Sequence, residues 1–206
     1  MTLAESITAG KDIVVAVAAA SAAVFAYLGL STWQKELKGK SEYQLAKDVL
    51  KSVYKVREAF KHVRNPAIFQ YEYPEEMTDH HGHLKQENRH DGTAHVYQER
   101  WKKIDEAFSE LESYHLDAQV EWGSEFQDVI KDLRSCRAEL LVTVQRLLER
   151  MKDAYDREVL SIDEKAEERS VLYHLGADSK HDKFTPDIDA AIGKFEIWLR
   201  PHIKKG

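Results

Sequence analysis

Five of the ten histidines fall within sixteen residues, at His80, His81, His83, His90 and His95, with Asp79 and Asp91 interleaved. Imidazole and carboxylate together suit a borderline metal such as zinc or iron. Asp79, His80, His81, His83, His90 and His95 are therefore the candidate metal ligands, and zinc or iron the candidate cofactor. The pattern lacks two usual companions. No cysteine at ligand spacing joins the histidines, and no H-E-x-x-H pair occurs. Glu87/His90 and Glu112/His115 carry the Glu-x-x-His spacing of a di-iron bundle, which also needs two further glutamates on facing helices.

A second group of residues could act on phosphodiesters. Arginine precedes histidine by five or six positions at Arg57/His62, Arg89/His95 and Arg169/His174. In a helical domain this spacing resembles the Arg-x4–6-His motif of HEPN-type ribonucleases. The resemblance covers only these residues, and it implies that the Arg and His cleave RNA. On that reading Arg89, His95, Arg169 and His174 are the candidate catalytic residues; His90 supplies the polar residue that follows arginine in the family pattern.

Other chemistries find no foothold. There is no G-x-S-x-G elbow and no glycine-rich phosphate loop. Cys136 is the single cysteine, so no intrachain disulfide can form, and its position on an apolar stripe suits a small filler. A net charge of −6 gives no electrostatic reason to expect nucleic acid as a partner. Arg134, Arg137, Arg146, Arg150 and Arg157 alternate with acids, as on a solvated helix face.

The elements that must position these residues read as helices. Ser41 with Gln44 makes a capping box after a break at Gly39, opening a helix over 41–64 whose stripe is Ala46, Val49, Val53, Val56, Phe60 and Val63. Asn65-Pro66 ends it. Residues 66–93 show no sustained period and form a histidine-rich loop. Tyr97, Trp101, Ile104, Phe108, Leu111, His115, Ala118 and Trp122 then follow four-three spacing up to Gly123. Ser124 with Gln127 is a second capping box, opening a helix through Ile130, Leu133, Cys136, Leu140, Val144, Leu147 and Met151 that could persist to Tyr155. A further helix over 163–175 ends at Gly176 as C-cap. Thr185 as N-cap and Pro186 at the first position open an amphipathic helix over 186–200, which Pro201 stops. The short 121–124 junction makes its two helices antiparallel neighbours. The fold class is all-α: an antiparallel bundle of long helices.

Ahead of that bundle lies Ile13–Trp33, twenty-one residues without a charge. About 20 such residues cross a hydrocarbon core of about 30 Å as a helix. Its eight strongly apolar residues contribute about −2.4 to −4.8 kcal/mol of insertion free energy, and one central arginine would cost about 2.5 to 3.5. The margin is thin because seven of the twenty-one are alanine. Ile13, Val17, Val24, Phe25, Leu28, Leu30 and Trp33 form the candidate anchor. Ala18, Ala22 and Ala26 share one side, a possible helix-pairing face. Ala20-Ser21-Ala22 also resembles a signal-peptidase site, but the apolar run continues for eight residues past it.

Orientation follows from the flanking lysines. Lys11 stands alone before the span, whereas Lys35, Lys38, Lys40, Lys47 and Lys51 follow it. The positive-inside rule then assigns residues 1–12 to an extracytoplasmic tail, 13–33 to a single-pass span in the cell membrane and 41–206 to a cytoplasmic domain. Phe195, Trp198 and Leu199 with Lys194, Arg200, Lys204 and Lys205 would also let the last helix lie on the lipid surface. The expectation is a membrane-anchored helical protein, with the bilayer as one partner, whose four-three stripes serve a protein partner, coiled-coil association or self-assembly. A membrane-tethered enzyme, metal-dependent or HEPN-like, and an oligomeric membrane-disrupting effector are the alternatives.

Overall fold

The computed structural model describes residues 3–123, 127–152, 160–176 and 179–203, with backbone only for 3–14 and 127. Among the described residues it contains five α-helices and no strand. The first, α1 (Leu3–Val63), is 61 residues long. It is followed by α2 (Arg89–Trp122), α3 (Gln127–Lys152), α4 (Ile162–Leu172) and α5 (Phe184–Ile203).

The expected break at Gly39 does not occur. One glycine inside a helix costs about 1 kcal/mol, too little to stop a run of good helix formers. Lys38 and Glu42 also pair across it at 3.8 Å. With the backbone continuous, the Ser41/Gln44 capping box has no helix end to cap, and the Gln44 amide donates to Asp48 instead. The apolar stretch and the first core helix are one rod.

The far half of that rod carries the core. Ala46, Val49, Val53, Val56, Phe60 and Val63 are fully buried, as their spacing predicts. They share one core with Ile104, Phe108, Leu111 and Ala118 of α2, Ile130, Leu133 and Leu140 of α3, and Ile188, Ile192, Phe195 and Leu199 of α5. Phe60 sits at the centre, edge-on to Phe108 at 6.0 Å and to Phe184 at 6.4 Å. Cross-helix pairs mark the register. Lys38 meets Glu121 and Lys55 meets Glu110, so α2 runs back along α1. Tyr54 donates to Glu196, and Arg64 meets Asp182 ahead of α5, so α5 also runs back along it.

Several element ends differ from the expectation. Residues 66–93 fold into single 3-10 turns at Gln70–Glu72, Glu75–Met77 and Gln86–Asn88, with one isolated bridge from Thr78 to Leu84. Helix α2 begins at Arg89, inside the expected loop. Helix α4 ends at Leu172, because Tyr173 turns extended and the His174 N–H leaves to bond the Arg64 carbonyl at 2.7 Å. Gly176 still takes a left-handed φ of 97°, but in the turn after the helix. At α5, Asp182 rather than Thr185 caps the first turn, accepting the Thr185 N–H at 2.9 Å. Pro201 lies inside the last turn, which Ile203 and the Trp122–His202 ring contact hold against the core. Trp198 and Leu199 also pack into the core. The Ser124/Gln127 capping box, Tyr155, Arg157, Lys204 and Lys205 lie outside the described residues or side chains.

Candidate functional site

Two regions could carry function: the apolar stem of α1 and the polar groups around its other end. Every described side chain from Val15 to Leu30 is exposed, including Phe25 at 74% and Leu28 at 52%. An 18-residue window of this helix has mean hydropathy 1.8 and none of it is buried in the protein, so α1 is long and apolar enough to cross a membrane. Two of its hydroxyls bond the helix backbone, Ser21 donating to the Val17 carbonyl and Ser31 to Leu28. Such internal pairing is what a lipid environment demands. Val17, Val24, Leu30 and Trp33 are exposed likewise, as are Ala18, Ala22 and Ala26. Ile13 lies on the same helix, where the backbone alone is described.

The rings of His80, His81 and His83 lie together, 3.9 Å and 6.5 Å between successive centroids. Asp79, His80, His81 and His83 share one tight turn, and His90 and His95 stand on α2. The Asp79 carboxylate closes the turn, one oxygen accepting the N–H of His81 at 2.8 Å and of His83 at 2.9 Å. Those amide bonds, His83 foremost, hold Asp79 below its ordinary value. His90 Nδ1 lies 2.6 Å from its neighbour Asp91. Among the described residues, no group of three or more His, Cys, Asp or Glu is placed to hold a metal ion. Glu112 pairs with Arg134 at 3.1 Å, and His115 is buried on the core side of α2.

The Arg/His pairs fare similarly. Arg89 and His95 are six residues apart on α2, about 240° around the helix, so they face different ways. Arg57 stacks over Tyr54 at 4.8 Å and lies 3.5 Å from Glu58. Burial, with Lys103 and Arg100 nearby, pushes His62 below its ordinary value. Arg169 is exposed on α4, while His174 turns inward toward Thr185 at 3.1 Å and Asp182 at 3.4 Å. The structure brings His174 to a different arginine.

That arginine is Arg64, the residue after α1, and its side chain is 1% exposed. Its three nitrogens meet five acceptors within 3.0 Å: Nε bonds Val171 O, Nη1 bonds Thr185 Oγ1, and Nη2 is shared among Ser170 O, Tyr173 O and Asp182 Oδ1. Burial and these partners oppose one another. Burial lowers Arg64 from its ordinary value against the pull of Asp182. Asp182, raised by burial, is lowered more by the Thr185 hydroxyl and amide, Arg64 and the Leu175 amide, and ends at about 2. The junction ties the end of α1 to the α4–α5 connection. A second arginine, Arg100, is 3% exposed and bonds Asn65 O, Ala67 O and both oxygens of Glu72. It clamps the segment after α1 onto α2. Neither role is legible in sequence, because arginine is ordinarily a surface residue and no spacing marks a buried one.

Cys136 is buried on α3, and burial, with Asp187 the largest nearby charge, pushes its thiol up to about 11. Burial and a raised thiol suit a packing residue. Open hollows lie between α2 and α3, lined by Glu112, His115, Gln119 and Arg134, and beside Asp105 and Tyr114. Neither is enclosed.

No protein-family model matches the chain, and no curated protein or solved structure matches it.

Proposed function

We propose that this chain is a single-pass membrane protein whose cytoplasmic antiparallel bundle binds a protein partner or self-assembles. The observation that supports this most is the two-sided character of α1. From Val15 to Leu30 its apolar side chains face outward on all sides, and from Ala46 to Val63 the same helix forms the core. A fully exposed apolar cylinder of that size has no place in water, where monomers rarely expose apolar patches above a few hundred Å². A bilayer accommodates it.

The five-to-one lysine asymmetry across the span favours the bundle on the cytoplasmic side. Between the span and the core, helix α1 continues without a break from Trp33 to Ala46, about 20 Å at 1.5 Å per residue. That segment would be a stalk that fixes the bundle's distance from the lipid. The structural roles of Arg64, Arg100 and Glu112, each held in an ion pair, support association over catalysis at those residues.

The test is carbonate extraction of cells expressing the full chain. Wild type stays in the membrane pellet, and Ala20→Arg moves to the supernatant, since one central charge removes most of the insertion free energy. Wild type released by carbonate overturns the anchor. Protease protection of the C-terminal domain in inverted vesicles overturns the orientation.

A further inference from the structure

We propose that the stacked Phe69–Tyr71 pair, at the end of the bundle away from the apolar stem, is a docking surface for an arginine-bearing segment of a protein partner. This rests on the reading of the bundle as a protein-binding module, and it assigns the surface and the partner's chemistry.

The two rings lie parallel, 5.5 Å between centroids and 5° apart in plane. Phe69 is 47% exposed and Tyr71 83%. Large rings standing in water are the usual anchors of protein interfaces, because each covers much area with few rotors. These two are also held in advance. Glu72 accepts the Phe69 N–H at 2.9 Å, the Glu72 N–H returns to the Phe69 carbonyl, and Arg100 grips Glu72 from α2. A partner therefore meets an ordered platform and is spared most of the entropy cost of arranging it.

Charge selects the occupant. From Asn65 to Leu84 there is no lysine or arginine, against four acids. Lys85 follows, its ammonium donating to the Glu76 carbonyl at 3.3 Å and leaving the carboxylates of Glu75 and Glu76 without an ion pair among the described residues. Glu72 is engaged by Arg100, leaving Glu75 and Glu76 exposed in the next turn. A guanidinium suits this combination, since its plane stacks on an aromatic face while its edge pairs with carboxylate. Lysine can satisfy the acids but not the stack. A phosphate backbone or acidic peptide would be repelled.

Full-length protein in neutral detergent is titrated with a fluorescent peptide of alternating Gly and Arg, and with its Gly-Lys counterpart of equal charge. The Arg peptide binds about fivefold tighter than the Lys peptide, and Tyr71→Ala removes that preference. Tyr71→Phe retains it. Glu75→Gln with Glu76→Gln weakens both peptides and flattens the salt dependence, while Glu106→Gln on α2 leaves them unchanged. Equal affinity for the two peptides, or an Arg preference that survives Tyr71→Ala, overturns the proposal. So does preferential binding of a single-stranded RNA oligonucleotide. Failure of carbonate retention would strike the anchor alone, and peptide binding in detergent is read independently of it.

Discussion

Arg64 Nη2 and Asp182 Oδ1 lie 2.8 Å apart with side chains 1% and 0% exposed, an ion pair fully withdrawn from water. Removing one member leaves the other charge buried without its counterion, which costs about 3 to 5 kcal/mol. Arg64→Met should therefore lower stability by roughly 3 kcal/mol. Asp182→Asn should also cost about 3 kcal/mol, since it leaves the Arg64 charge buried without a counterion even where the Thr185 amide keeps an acceptor. Urea unfolding of the two single variants and the double variant checks this. A strictly additive double variant would show that the pair is not coupled.

Acid stability follows from the same pair. Asp182 has its carboxyl depressed from 3.8 to about 2 in the folded chain, so the unfolded state binds the proton more readily. The stability it confers is complete above about pH 4 and is lost as pH falls through about 2, some 2 kcal/mol in all. Glu72, held below its ordinary value chiefly by Arg100, acts in the same direction. The urea midpoint should fall between pH 5 and 2, and Asp182→Asn should make that decline shallower. An unchanged slope would separate Asp182 from the acid response.

Cys136 should be silent to thiol reagents in the folded chain. With the thiol raised to about 11 and 6% exposed, almost none is thiolate at neutral pH. Labelling with a disulfide reagent at pH 7.5 should be slower than for unfolded protein by at least roughly a hundredfold. Fast labelling without denaturant would mean that α3 opens readily from the core.

Gly39 tests the continuity of α1. A Cβ there meets nothing within 4 Å and no positive φ is required, so Gly39→Ala should be tolerated and should stiffen the stalk by about 1 kcal/mol. Gly39→Pro should kink it. Spin labels at 33 and 45 should give one narrow distance near 18 Å in wild type and Gly39→Ala, from twelve residues at about 1.5 Å each. A broad distribution in wild type would restore the break.

Much of the fold was legible because burial follows helical period. The stripe from Ala46 to Val63 and the four-three run through Ile104, Phe108 and Leu111 are buried as their spacing implies. Ends were less legible. Gly39, Gly176 and Pro201 are local signals, and each was outweighed by packing or by an unbroken hydrogen-bond ladder. The polar candidates show the same limit. His174 was paired in sequence with Arg169, five residues away, but the fold sets it beside Asp182, the counterion of Arg64.

The amino-acid sequence by itself determined the helical class, the apolar stem and the lysine asymmetry, because composition and period are properties of a chain before it folds. Only the tertiary structure decided that stem and core share one rod, that Arg64 and Arg100 are buried clamps, and that Phe69 and Tyr71 stand stacked in water. Those facts depend on which distant residues meet. A buried guanidinium is tolerable only where carbonyls and a carboxylate from elsewhere in the chain converge on it, and no local spacing records that convergence.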